Sequence, residues 1–169
     1  MRRLSLCGAE YTVPKGLFNS KIGPKNRRPV MAAKKVLFLC TGNTSRSQMA
    51  EAFLRKHGGV RFEVHSAGLA PGEEIHPLTR RVMSEVGLDL SGQHPKSLRP
   101  YLGRFPFDVV IFVCEKAEKT CPAMWPTVVT GVSWPFEDPA AFSGDEEQQI
   151  AKFRAVRDLI EKKILEWLG

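Results

Sequence analysis

No stretch of this 169-residue chain is apolar for long enough to form a signal-peptide core or a membrane span, so neither secretion nor insertion is expected. It has no internal repeat or low-complexity tract, and its 43% apolar content suffices for one soluble domain with a true core. Cysteine is scarce, at four residues, and their spacing does not match a metal-ligand pattern. Without a signal peptide these thiols are expected to be reduced in the cytoplasm, where cysteine is catalytic or redox-active more often than structural. Cys7 has no visible role. Acidic residues are nearly missing from the first 30 positions, where Glu10 alone faces Arg2, Arg3, Lys15, Lys21, Lys25, Arg27 and Arg28. Of the 25 basic and 18 acidic residues in the chain, that leaves 18 against 17 for the remainder. The formal charge of +7 therefore belongs to an extension and not to the folded face, and no nucleic-acid partner is expected. Residues 1–30 are rich in Gly, Pro, Asn, Lys and Arg and are expected to be a disordered extension. Met31-Ala32-Ala33-Lys34-Lys35 reads as an ordinary protein start, opening a domain over 31–169.

What is present is an alternation of strands and helices. Val36 to Cys40 is an unbroken apolar run, as in a parallel strand buried on both faces. Ser47 to His57 predicts a helix ended by Gly58-Gly59, and Arg61 to Ser66 predicts a strand closed by Gly68. Pro77 to Val86 is a second helix ended by Gly87. Val109 to Cys114 is another apolar strand, and Thr127 to Trp134 a weaker one. Ile150, Phe153, Val156, Ile160, Ile164 and Trp167 mark one face of a long terminal helix. This order predicts an α/β fold, a three-layer α/β/α arrangement around a central parallel sheet of about four strands. Ligands in such sheets gather outside the carboxyl ends of the strands, the edge at which Cys40 and Cys114 both fall.

Between the first strand and the first helix stand Cys40-Thr41-Gly42-Asn43-Thr44-Ser45-Arg46-Ser47. A strand–loop–helix junction aims successive backbone N–H groups and a helix N-terminus into one concavity. Arg46 adds a planar fork of donors suited to a tetrahedral oxyanion, and Gly42 permits the tight turn. Ser47 and Thr41 have hydroxyls to offer the sulfur or the anion. The same positive field is expected to hold the Cys40 thiol below its free value of about 8.5.

Two further elements bear on the chemistry. Cys114 and Cys121 are seven apart; across a helix they would be about 10 Å apart, whereas a disulfide needs Cα atoms within about 7 Å. A bond between them requires the short, charged segment Ala117 to Cys121 to unwind or loop out. Trp134-Pro135-Phe136-Glu137-Asp138-Pro139 follows the last strand as a rigid loop. A carboxylate such as Asp138, brought over the cysteine, would serve as a general acid.

Together these residues resemble the low-molecular-weight protein tyrosine phosphatase fold, and more closely its thioredoxin-coupled arsenate reductase branch. The resemblance spans about residues 35–168 and includes the loop, Ser47-Gln48-Met49-Ala50-Glu51, Ser66-Ala67-Gly68, the Cys114/Cys121 pair and Trp134-x-Phe136-x-Asp138-Pro139. It implies arsenate bound by Thr41 to Ser47 and clamped by Arg46, with phosphate as a competing oxyanion. Cys40 would attack arsenic while Asp138 protonates the leaving oxygen. Cys114 would then attack Cys40, releasing arsenite and leaving a Cys40–Cys114 disulfide. Cys121 would move that bond to Cys114–Cys121, which thioredoxin would reduce. Ser45 stands where such reductases often carry a dispensable cysteine. Some relatives hold a potassium ion beside the loop with an acidic residue near Lys96. An ammonium there would replace it, so no bound metal and no bound cofactor is expected, with Asn43, Glu51 and Ser66 ordering the loop. The phosphatase branch usually places an aromatic residue after Asp-Pro; here Ala140 follows. The expectation is thus a cytoplasmic, monomeric arsenate reductase with residual phosphatase activity. Its alternatives are a tyrosine phosphatase with incidental cysteines and a non-catalytic oxyanion or redox sensor.

Overall fold

The computed structural model describes residues 32–120 and 130–169 in full, and the backbone of 2–6 and 9–13. The chain divides into two units, Met1–Met31 and Ala32–Gly169. In the first, β1 (Arg2–Leu6) and β2 (Ala9–Val13) pair antiparallel with Leu4 opposite Tyr11. The sequence reading assigns no strand there, because the apolar alternation in each segment is short. Lys15, Lys21, Lys25, Arg27, Arg28 and Cys7 lie outside the described residues, as does Cys121 with the rest of 121–129.

The second unit is built on a four-stranded parallel sheet, made of β3 (Lys34–Cys40), β4 (Phe62–Gly68), β5 (Val109–Phe112) and β6 (Gly131–Ser133) in the order β4-β3-β5-β6. Val36 through Cys40 are all buried, as are Val109 through Phe112. Successive side chains of a strand point to opposite faces, so an unbroken buried run means that both faces are covered. That is the three-layer α/β/α arrangement.

The helices are α1 (Arg46–Gly58), α2 (Pro77–Glu85), α3 (Glu115–Thr120) and α4 (Glu146–Leu168). Helix α1 stops where Gly59 takes a positive φ of 56°, and α2 stops two residues before Gly87, at 74°; L residues with a Cβ rarely adopt that region. Helix α4 begins before its first buried residue, Ile150, because Asp145 and Gln148 form a reciprocal capping box. Its far end seals the sheet through Trp167, which lies against Phe62 and Trp134 with ring centroids 5.4 and 5.8 Å apart.

Several predicted strand ends move: the first strand begins at Lys34 and not at Val36, and the second runs over Phe62–Gly68 and not from Arg61 to Ser66. The third strand stops at Phe112 and not at Cys114; after the Val113 N–H donates to the Leu39 carbonyl at 2.9 Å, the chain leaves the sheet to start α3. The fourth is described only from Gly131 to Ser133, and its predicted first residues, 127–129, lie outside the described region. Among the described residues no helix is long and apolar enough to cross a membrane.

Candidate active site

The loop 41–45 is turned inside out by its neighbours. The backbone N–H groups of Leu69, Ala70, Gly72 and His76 donate to the carbonyls of Cys40, Thr41, Gly42 and Thr44 at 3.1, 2.9, 2.9 and 3.0 Å. With the carbonyls drawn outward, the amides are left for the concavity on the other side. Asn43 N–H already points into it, donating to Cys40 Sγ at 2.9 Å. Ser45, at the N-cap of α1, makes no side-chain cap and instead accepts from Thr79 Oγ1 at 3.0 Å. The first N–H groups of α1 are therefore not consumed by a cap.

Only a close approach allows this buttress. A Cβ on Gly68 would lie 2.7 Å from the Thr41 carbonyl oxygen and 3.1 Å from Asn43 Cβ, and one on Gly72 would lie 2.7 Å from Thr44 Cγ2. Sequence reasoning missed Gly72 and the 69–76 backbone contacts, because a backbone-to-backbone clamp leaves no side-chain signature beyond the glycines.

Asn43 carries the loop's strained turn, with φ at 51° and its side chain fully buried. Its amide donates to Ser47 Oγ at 2.8 Å and Ser66 Oγ at 2.9 Å. Its oxygen accepts from Gln48 Nε2 at 3.0 Å and from the Lys96 backbone N–H at 2.7 Å. Ser66 Oγ donates to Glu51, whose carboxylate is buried and also meets Arg55 and, at 3.1 Å, Lys96 Nζ. The Lys96 ammonium further donates to the His94 carbonyl at 3.3 Å. One polar network thus runs from Lys96 through Glu51, Ser66 and Asn43 to Ser47, whose Oγ lies 2.9 Å from Cys40 Sγ.

Cys40 is only 3% exposed. Burial pushes its thiol up from the ordinary value, and the hydrogen bonds from Ser47 and the Asn43 N–H, with the charge of Arg46, offset this only in part. This corrects the expectation of a depressed value: desolvation outweighs the loop's field. The Thr41 hydroxyl turns to Cys114, with Oγ1 and Sγ 3.6 Å apart. Cys114 itself is buried and stands immediately before α3.

Arg46 Nη2 donates to Asp138 Oδ2 at 2.7 Å and Nη1 to the Phe136 carbonyl at 3.0 Å. Asp138 Oδ1 accepts from the Ala140 N–H at 3.2 Å, which opens the single turn Pro139–Ala141. Cys40, the loop, Arg46, Cys114, Phe136 and Asp138 line one cavity of about 790 Å³. The structure therefore brings together four of the five predicted catalytic residues, and Cys121 lies outside the described region. The site can hold an oxyanion against a thiol, with a second thiol and a carboxyl group beside it.

Residues 35–169 match the family described as low molecular weight phosphotyrosine protein phosphatase. An arsenate reductase of Halalkalibacterium halodurans is 40% identical over 134 residues, 79% of this chain and 94% of the relative. A solved arsenate reductase in the phosphate binding state superposes with a TM-score of 0.67 at 34% identity, covering 79% of this chain and 95% of that one. A thioredoxin-dependent arsenate reductase of Corynebacterium glutamicum gives a TM-score of 0.57 at 32% identity, over 80% of this chain and 64% of that one. By this match over residues 35–169 and the four-stranded parallel sheet that carries it, this chain belongs to the low molecular weight phosphotyrosine protein phosphatase family.

Proposed function

We propose that the chain reduces arsenate to arsenite by a three-cysteine relay and is returned to its starting state by thioredoxin. One observation carries this choice over simple phosphate hydrolysis: a second buried thiol, Cys114, shares the cavity with Cys40 and lies 3.6 Å from the hydroxyl of the loop residue Thr41. Hydrolysis by water does not call on a second thiol. The relatives named arsenate reductase, one of them thioredoxin-dependent, support the same reading.

In this scheme the loop from Thr41 to Ser47 binds arsenate and Arg46 takes its charge. Cys40, having passed its thiol proton to the bound arsenate, forms a sulfur–arsenic bond as an oxygen leaves as water, protonated by Asp138. Cys114 then forms a bond to the Cys40 sulfur. The electron pair of the sulfur–arsenic bond goes to arsenic, which leaves as arsenite, reduced by two electrons. Cys121 attacks Cys114, freeing Cys40 and placing the disulfide on the Cys114–Cys121 pair, which the reductant opens. Helix α3 occupies Glu115–Thr120, so in this scheme the transfer is accompanied by that segment unwinding or looping out.

The residues beside the loop do not fit a potassium ion. The Lys96 ammonium lies against the buried Glu51 carboxylate and the His94 carbonyl, the oxygens a cation would need. No bound cofactor enters the scheme, since the electrons come from thioredoxin. Phosphate competes for the loop, residues 31–169 suffice for activity as a monomer, residues 1–30 take no part, and the reducing cytoplasm is the setting.

A coupled assay with thioredoxin, thioredoxin reductase and NADPH tests this reading. Arsenate-dependent NADPH oxidation is expected, abolished by Cys114→Ser. Aryl phosphate hydrolysis without arsenate turnover would make the chain a phosphatase. One oxidation per chain with no turnover would make it a sensor.

A further inference from the structure

The side chain best suited to meet an oxyanion is already engaged by protein. Arg46 gives Nη2 to the Asp138 carboxylate at 2.7 Å and Nη1 to the Phe136 carbonyl at 3.0 Å. Both partners come from the loop after β6, 90 and 92 residues away in sequence. The Arg46 side chain is 12% exposed, so the pair is largely shielded, whereas the Asp138 side chain, at 42%, has a route outward. Asp138 is also anchored from behind, where its Oδ1 accepts the Ala140 N–H.

Building on the functional reading above, we propose that Asp138 is an internal stand-in for the substrate: its carboxylate holds Arg46, and a tetrahedral oxyanion enters by taking Arg46 from it. A carboxylate oxygen that accepts the Arg46 N–H at 2.7 Å is engaged by the guanidinium and is not available to a leaving oxygen. Asp138 can act as a general acid only after this exchange, when its carboxylate, released beside the dianion, takes a proton from solvent, to which its side chain is 42% open.

The exchange also sets specificity. A singly charged planar anion offers Arg46 no more than Asp138 already does. A dianionic tetrahedral oxyanion brings more charge and additional oxygens for the loop amides, and so displaces the carboxylate.

The test uses inorganic phosphate on the full chain, read as protection of Cys40 from iodoacetamide by peptide mass. It needs neither reductant nor turnover, so it stands apart from the question of arsenate reduction. Asp138→Asn, with Asp138→Ala as a second variant, is compared with Glu137→Gln. Glu137 carries the same charge at the same rim but pairs with Lys152. Releasing Arg46 should tighten phosphate by about tenfold in both Asp138 variants, the scale of one charge-assisted bond. Glu137→Gln should change it less than about twofold, as for an exposed ion pair. The pH profile of Cys40 alkylation should also move to lower pH in Asp138→Asn. Unchanged or weaker phosphate binding in the Asp138 variants would overturn the proposal, as would an equal gain in Glu137→Gln.

Discussion

Replacing Lys96 by Met removes the ammonium and keeps most of the stem. Glu51 is 1% exposed and meets three partners: Ser66 Oγ, Arg55 and the Lys96 ammonium. Stripping one partner from a fully buried ion pair costs about 3–5 kcal/mol, because the other charge is left desolvated. Here the Lys96 side chain is 20% exposed and Arg55, half exposed, remains to share the charge, which brings the expected loss to about 2 kcal/mol. For a chain of this size that is a fall in Tm of about 4–8 °C. Urea and thermal unfolding of both proteins, each in sodium, potassium and tetramethylammonium chloride, provide the assay. Potassium should recover part of the loss in Lys96→Met, since the oxygens of Glu51 and the His94 carbonyl are then open to a cation. It should leave the wild type unmoved, whose own ammonium fills the position. A loss below about 0.5 kcal/mol would place the pair among surface ion pairs and refute the reasoning. Potassium stabilising the wild type as strongly as the variant would refute it equally.

Gly68→Ala places a Cβ 2.7 Å from the Thr41 carbonyl oxygen, so the buttress must shift. We expect a stability loss of about 1–3 kcal/mol and weaker phosphate protection of Cys40, both measurable on one purified sample. The Cys40 thiol, raised by burial, links stability to alkaline pH. The unfolded chain releases that proton near the free thiol value of about 8.5 while the folded chain retains it, so stability is full below that pH and falls as pH rises toward the folded value. Urea midpoints at pH 7 and pH 10 should therefore diverge more for the wild type than for Cys40→Ala; equal slopes would contradict a buried, protonated thiol.

The parallel sheet was legible because Val36–Cys40 and Val109–Phe112 are apolar runs with no alternation, and Gly59 and Gly87 punctuate the helices at positive φ. The anion loop was legible because its chemistry and its strand–helix context lie within one contiguous stretch. Less visible was everything set by distance in sequence. The grip of Asp138 on Arg46, the Lys96 backbone on Asn43 and the 69–76 clamp on the loop carbonyls join segments that no local pattern connects. The direction of the Cys40 shift was misjudged for the same reason. A sequence displays the charges around a thiol but not its 3% exposure, and here desolvation decides. Helix α4 began earlier than its apolar stripe because Asp145 and Gln148 cap it, a signal present in the sequence and passed over.

The relay itself is tested most directly by trapping it. In Cys121→Ser, one equivalent of arsenate should be consumed per chain, and tryptic peptide mass mapping should find Cys40 joined to Cys114. Turnover would then stop, even with thioredoxin present. Continued turnover, or Cys40 found free or joined to any other residue, would contradict Cys114 as the thiol that resolves the arsenic adduct.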